Sequence, residues 1–258
     1  MILTVDMGNT NIVIGGIDEQ KIYFVERITT NPSKTDLEYA VNVKDILEIY
    51  HIPLDQIEGA ILSSVVPPLN STILKAVEKI IGKKPLLVGS GMKTGLNIIM
   101  DNPKTVGSDM IVDAVAAIRE FPLPIIIIDM GTATTMSVVD QSGNYIGGVI
   151  LPGLKVSLDS LSGKTAQLPH ISLETPGKVI GKNTIDCMRS GIIYGNAEQI
   201  DGIIERMEAE LGQKASIVAT GGLAKLITPI CRHKIVYDDA LLLKGLLILY
   251  RRNAGHER

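Results

Sequence analysis

The chain opens on a short apolar run, Ile2-Leu3-Thr4-Val5, that ends in Asp6-Met7-Gly8. An apolar run of this length stopped by Asp and Gly predicts a buried strand entering a tight turn. The same pattern returns at Ile125-Ile126-Ile127-Ile128-Asp129-Met130-Gly131. Polar Asn and Thr positions follow each copy, then further strand at Ile12 to Ile14 and Met136 to Val139, then a turn at Asp18-Glu19 or Ser142-Gly143 and a third strand. The two segments align without gaps at a constant offset, Asp6 over Asp129 and Gly8 over Gly131, which predicts two related halves.

Helices and strands alternate after each three-stranded opening. Thr35-Asp36-Leu37-Glu38 is a capping box before a helix with Leu37, Val41, Ile46 and Leu47 on its apolar side, closed before Pro53. A strand over 60–66 precedes a helix capped by Asn70 or Ser71 and ended by Gly82; a short strand at 86–88 and a helix from Ser108 through Ile118 complete the first half. The second half reads as helices over 154–161 and 184–211, a strand over 217–219 and a terminal helix over 241–250. Phe121-Pro122-Leu123-Pro124 marks the boundary, giving domains 1–121 and 122–258 of an α/β protein, each a mixed sheet with flanking helices.

Composition narrows the function classes. With 45% hydrophobic and 21% charged residues in 258, the chain buries sizeable cores and is not disordered. Net charge is −3, with Lys and Arg spread along the chain apart from Arg251, Arg252 and Arg258, so no basic footprint points to nucleic acid. The absence of Trp also leaves few platforms for stacking bases. Cys187 and Cys231 lack metal-ligand spacing, and His51, His170, His233 and His256 are scattered, so neither a zinc site nor a disulfide framework is expected. The first residues carry no charged leader, and the apolar run from Ala240 to Tyr250 is cut by Lys244 and Gly245. The expectation is a cytoplasmic protein with no membrane segment.

The paired hairpins carry candidate chemistry. Gly two residues after Asp lets backbone N–H groups approach phosphate oxygens, and Asn9, Thr10 and Asn11 in one loop and Thr132, Thr134 and Thr135 in the other add donors. Asp6 and Asp129 are oxygen ligands of the kind that hold Mg²⁺ through water. Turn chemistry after a buried strand explains either copy alone; two matched copies favour a phosphate clamp. Ile217-Val218-Ala219-Thr220-Gly221-Gly222 is a strand running into a Gly pair where a flat adenine fits against backbone. Two look-alikes fail. Gly163-Lys164-Thr165 has Leu158 where a P-loop needs its leading Gly, and Gly89-Ser90-Gly91 with Gly95 has one residue too many for a dinucleotide fingerprint.

Asp6-Met7-Gly8-Asn9-Thr10, Asp129-Met130-Gly131-Thr132-Ala133-Thr134 and Thr220-Gly221-Gly222 resemble the two phosphate motifs and the adenosine motif of actin-like kinases. Asp101-Asn102-Pro103 with Gly107-Ser108-Asp109, the run from Gly147-Gly148 to Pro152-Gly153, Gln167-Leu168-Pro169 and Gly181-Lys182-Asn183-Thr184 are similar to type III pantothenate kinases. The resemblance implies two ribonuclease H-like, actin-like domains with the nucleotide in the cleft between them. It also implies ATP-dependent phosphorylation of pantothenate to 4'-phosphopantothenate, the first step of coenzyme A biosynthesis, by a homodimer using Mg²⁺ and a monovalent cation, K⁺ or NH₄⁺.

Carried over residue by residue, Asp6, Met7, Gly8, Asn9, Thr10, Asn11, Ile12 and Val13 bind the ATP phosphates, with Asp6 holding Mg²⁺ through water. Thr132 also contacts ATP, Gly221 and Gly222 belong to the adenosine motif, and Asp129 holds the monovalent cation. Asp109 is the general base; Gly107, Ser108, Asp109 and Met110 line the pantothenate pocket, and Thr184 contacts that substrate. The chain departs from the family at three positions. Met110 stands where an Arg is common, Asp113 where Asn is frequent, and Met100 where a Tyr often precedes Asp-Asn-Pro. Loss of the Arg removes a bidentate partner for a carboxylate.

On its own, Asp109 also suits a first helical turn, where a carboxylate meets the helix dipole favourably, and Asp113 one turn on fits a solvent-facing position. A loose transition state needs little early proton removal, so an ordinary Asp pKa of about 3.9 serves a base here. Ile192, Ile193, Ile200 and Ile203 supply apolar positions for a dimer contact. Two alternative functions stay open on the residues: a non-catalytic nucleotide-binding regulator of the same fold, and a kinase for another small hydroxyl or carboxylate substrate.

Overall fold

A computed structural model describes residues 1–255. His256 and Arg258 of the basic tail lie outside the described residues. The chain divides into two compact units: Met1–Leu96 with Asp101–Ala116 and the stretch from Ala240 on, and Asn97–Met100 with Ala117–Asp239.

In the first unit, β1 (Ile2–Met7), β2 (Asn11–Ile17) and β3 (Ile22–Thr29) form an antiparallel meander, α1 (Asp36–Ile49) crosses over, and β4 (Gly59–Ser64) returns parallel to β1. Then come α2 (Asn70–Ile81) and β5 (Leu86–Leu87), giving the sheet order β3-β2-β1-β4-β5. The β1 side chains alternate between two cores, as a sheet buried on both faces requires. Leu3, Val5 and Met7 pack with α1 and α2, whereas Ile2 packs with Val112, Val115, Leu243 and Leu246 on the opposite face.

The Thr35 capping box forms as expected, with Thr35 and Glu38 capping each other. The apolar side of α1 differs from expectation. Tyr39, Ala40, Val43, Ile46 and Leu47 make the buried stripe, while Leu37 and Val41 are 63% and 47% exposed, because the stripe with 3.6-residue spacing runs through 39/40, 43 and 46/47. Neither Asn70 nor Ser71 caps α2. A 3-10 turn over Pro67–Leu69 leads into it and places Asn70 inside the helix. Gly82 ends the helix in the left-handed conformation, its N–H donating to the Glu78 carbonyl at 2.9 Å. β4 stops at Ser64, two residues before the expected end.

The chain then runs through β6 (Asn97–Ile98) and α3 (Ser108–Glu120). In the second unit, β7 (Ile125–Met130), β8 (Ala133–Val139) and β9 (Asn144–Pro152) repeat the meander, followed by α4 (Leu154–Gly163), α5 (Thr184–Leu211), β10 (Ser216–Thr220), α6 (Ala224–Ile227) and β11 (Val236–Tyr237). Its sheet order is β11-β10-β7-β8-β9-β6, the last pair being a short parallel contact without a sequence signal. The last helix, α7 (Leu241–Asn253), falls with the first unit, where Leu243, Leu246 and Leu249 join the core against Val112 and Val115. The sequence boundary assigns that helix to the second half, because an amphipathic pattern shows that a helix has an apolar face but not which sheet receives it.

The two meanders share one burial pattern in their first strands and another in their second, and each carries a bulge at the same place, between Gly16 and Ile17 and between Val138 and Val139. The gap-free alignment fails between the strands. Four residues separate β1 from the Ile12 that pairs with Met7, whereas three separate β7 from the Thr134 that pairs with Met130. The second loop is thus one residue tighter, and Thr134 occupies the position of Ile12.

Candidate active site

Asp6 is half-buried at the end of β1, and Asn9, Thr10 and Asn11 are exposed on the loop that follows. The loop is held from within and from the side. Gly8 N–H donates to the Asn11 carbonyl at 3.0 Å, the Thr30 hydroxyl donates to the Gly8 carbonyl at 2.7 Å, and Thr30 N–H donates to the Thr10 carbonyl at 3.0 Å. Met7 and Ile12 turn their side chains into the core and lie in the strand ladders, so neither offers a side chain to a phosphate. Thr30 carried no sequence signal; it sits at the end of β3, where closing the meander brings it over the loop.

Next to β1 stands β4, in a register that sets Asp6 beside Ser63 and Met7 beside Ser64. The first residue of α3, Ser108, is bonded to this strand end: its hydroxyl donates to the Ser64 carbonyl at 2.9 Å and accepts from Ser64 N–H at 3.0 Å. The hydroxyls of Ser63 and Ser108 are 3.0 Å apart. Asp109, Gly107 and Met110 are therefore held in the same unit as Asp6, one strand over from it. Asp109 Oδ1 accepts from Met110 N–H at 2.8 Å. Burial pushes the Asp109 carboxyl above its ordinary value, and the Met110 and Asp109 N–H groups pull against that shift. Asp113 is 2% exposed rather than solvent-facing, because the helix between Val112 and Val115 is covered by the leucines of α7.

In the second unit, Asp129 is half-buried at the end of β7, and Gly131, Thr132 and Ala133 are exposed. Two glycines let other segments close on this strand end and loop. A Cβ on Gly221 would lie 2.7 Å from Asp129 Oδ1 and 2.6 Å from the Met130 carbonyl oxygen; a Cβ on Gly153 would lie 2.4 Å from the Thr132 carbonyl oxygen. Gly222 beside it is exposed. Thr184 is exposed on the first residue of α5, whose N-terminus is capped by the Asn183 side chain accepting from Asp186 N–H at 2.9 Å. Gly163 ends α4, with Lys164-Thr165 in the turn after it, and Gly89-Ser90-Gly91 opens no helix, so neither look-alike is a strand-to-helix phosphate loop.

Thr134 is not a phosphate donor. Cross-strand pairing with Met130 turns it to the core side of β8, where it is 1% exposed and its hydroxyl has no hydrogen-bond partner. A buried unmatched hydroxyl costs about 1–3 kcal/mol. Thr134→Val, of the same shape, is expected to raise the unfolding free energy by about 1 kcal/mol in denaturant titration while turnover stays as it was. The isoleucines proposed for a dimer contact are also inside: Ile192, Ile193 and Ile200 are buried and Ile203 packs against the same core.

A single carboxylate at the end of each first strand suits a cation that rides on a nucleotide's phosphates and needs only one or two protein oxygens. Among the described residues, no group of three or more His, Cys, Asp and Glu side chains forms a self-sufficient metal cage. Gly221, which has no Cβ, passes close against Asp129 Oδ1.

Paired meanders that each end in Asp-Met-Gly, on two mixed sheets, define the fold of the actin-like kinases. The chain is similar in fold to the (R)-2-hydroxyglutaryl-CoA dehydratase component A of Acidaminococcus fermentans, at 15% identity and TM-score 0.54 over 96% of each chain. It is also similar to a conserved protein named for the Baf family of transcriptional activators from Campylobacter jejuni, at 17% identity and TM-score 0.60 over 98% of this chain and 99% of that one. Residues 2–206 match the family described as type III pantothenate kinase. A protein of that name from Bacillus cytotoxicus is 44% identical over 100% of this chain and 99% of its own length. The chain belongs to the type III pantothenate kinases, enzymes that phosphorylate pantothenate with ATP in coenzyme A biosynthesis.

Proposed function

We propose that Asp109 is the general base of this phosphoryl transfer, taking the proton of the pantothenate hydroxyl as its oxygen attacks the γ-phosphorus of ATP. The observation that supports this most is the bonding of Ser108 to Ser64, which fixes the start of α3 one strand from Asp6. The loop from Asp6 to Val13 takes ATP phosphate oxygens on its N–H groups and on Asn9, Thr10 and Asn11, and the Thr132 hydroxyl adds a further contact. Gly221 and Gly222 receive the adenosine, while Gly107, the backbone of Ser108, Met110 and Thr184 bind pantothenate. Asp6 holds Mg²⁺ through water, and Asp129 holds K⁺ or NH₄⁺. Bound, these cations neutralise charge on the phosphate oxygens. Met110 offers no bidentate partner to the pantothenate carboxylate, so other donors of the pocket carry that contact.

Desolvation of Asp109 strengthens it as a base, since a carboxylate whose pKa is raised holds a transferred proton more firmly. Turnover compared in KCl and NaCl at equal ionic strength is expected to be higher in KCl; equal turnover would remove the cation from Asp129. We further propose a cytoplasmic homodimer. The support in this chain is the exposed apolar set Val156, Val179, Ile180 and Ile185 on and around α4 and α5. Light scattering is expected to give twice the 27.8 kDa chain mass, and a mass of one chain would refute the dimer.

A further inference from the structure

β5 ends at Leu87, opposite Leu62, and the last bond on that side of β4 runs from Val88 N–H to the Leu62 carbonyl at 2.8 Å. Two residues on, the outward N–H and C=O of Ser64 have no strand to pair with. One hydroxyl takes both: Ser108 Oγ accepts from Ser64 N–H and donates to the Ser64 carbonyl. A serine hydroxyl has one proton and two lone pairs, so with its proton committed to the carbonyl, the remaining lone pair accepts the Ser63 hydroxyl proton at 3.0 Å. Ser63 is fully buried, and its strand neighbour across the ladder is Asp6.

We propose that Ser63 and Ser108 are positioning residues of the reaction: together they latch the first turn of α3 to the end of β4 and so fix Asp109 relative to the strand that carries Asp6. The proposal rests on the reading of Asp109 as the base. Ser108 uses all three of its hydrogen-bonding capacities on β4, which leaves Asp109, the next residue, no slack at its backbone. With the latch closed, Asp109 is partly buried and its carboxyl is desolvated. Loosening the latch misplaces the base and readmits solvent, so two quantities move together: the turnover number and the acid limb of its pH profile.

The test measures kcat, KM for both substrates, the kcat–pH profile and the melting midpoint for Ser63→Ala, Ser108→Ala, Ser63→Thr and Asp109→Asn in the full chain. Ser108→Ala is expected to lower kcat by about 10–100-fold and Ser63→Ala by about 3–10-fold, on the scale by which an ångström of misplacement costs about 10²-fold. In both, KM for ATP stays within about twofold, and the acid limb moves down toward an ordinary carboxylate value as the carboxyl is rehydrated. Ser63→Thr, which keeps the hydroxyl, recovers turnover relative to Ser63→Ala. A fall in melting midpoint with kcat and acid limb unchanged makes the serines structural only and overturns the proposal. If Asp109→Asn abolishes turnover while both alanine variants keep the parent kcat and limb, the latch is refuted and the base stands. If Asp109→Asn turns over normally, the base reading itself fails, and the latch with it. Should Ser108→Ala not fold, Ser63→Ala, which removes a single bond, decides.

Discussion

Asp109→Asn is expected to lower kcat by about 10²–10⁴-fold, the usual contribution of a general base, while the Kd for ATP barely changes. The substitution keeps the side chain's size, and the amide oxygen can still accept the Met110 N–H that Asp109 Oδ1 accepts at 2.8 Å. What it removes is a charge that burial disfavours. Because burial raises the folded pKa above the unfolded one, the stability that depends on a neutral Asp109 is fully present below the ordinary carboxylate value and is lost as pH rises through the raised value. The Asn variant does not titrate. It is therefore expected to melt above the parent at neutral pH, with the gap closing in acid, while its turnover is lost. The parent's kcat should fall on the acid side at a pH above the ordinary Asp value, since only the ionised base works. Calorimetry at pH 7 with steady-state kinetics reads both; near-normal turnover at saturating pantothenate and ATP would leave Asp109 as a helix-start residue only.

Gly221→Ala is expected to damage the second phosphate site and the fold together. Its φ of +91° lies in the region L side chains rarely adopt, and the added Cβ would sit 2.6 Å from the Met130 carbonyl oxygen and 2.7 Å from Asp129 Oδ1. A left-handed backbone costs about 1–2 kcal/mol, and forced overpacking adds about 1–3 kcal/mol. For a chain of this size that total lowers the melting midpoint by roughly 5–15 °C. The carbonyl cannot retreat without distorting β7, so the displacement reaches Asp129 and the loop behind it. KM for ATP should rise more than kcat falls. Gly163→Ala is the control, since a Cβ there meets nothing within 4 Å and stability should hold within about 0.5 kcal/mol. A melting midpoint and KM for Gly221→Ala equal to the parent's would mean that β7 tolerates the side chain.

Both opening strands, β1 and β7, were legible because a buried strand that stops at Asp-Met-Gly is a local signal, and its duplication is visible by eye. The single-residue difference between the loops was not, since it is set by which residues pair across each hairpin: Met7 with Ile12, but Met130 with Thr134. That register decides that Thr134 faces the core, where its sequence neighbours suggested a donor. The exposure of Leu37 and Val41 was hidden for a related reason, as a helix of mixed pattern admits more than one apolar stripe until a partner surface selects one. Ser63 and Ser64 were missed altogether. Two serines at the end of an apolar strand look like ordinary turn entry, and their role appears only once β4 lies beside β1 and the start of α3 arrives from 44 residues away. α7 likewise announced its apolar face but not its destination.

The most direct measurement is ADP release by the purified chain with ATP, Mg²⁺ and K⁺, followed with and without pantothenate, with the product identified by mass spectrometry. The predicted result is release that depends on pantothenate, with one phosphopantothenate formed for each ADP. ADP release at the same rate without pantothenate, or none when it is present, would contradict the account.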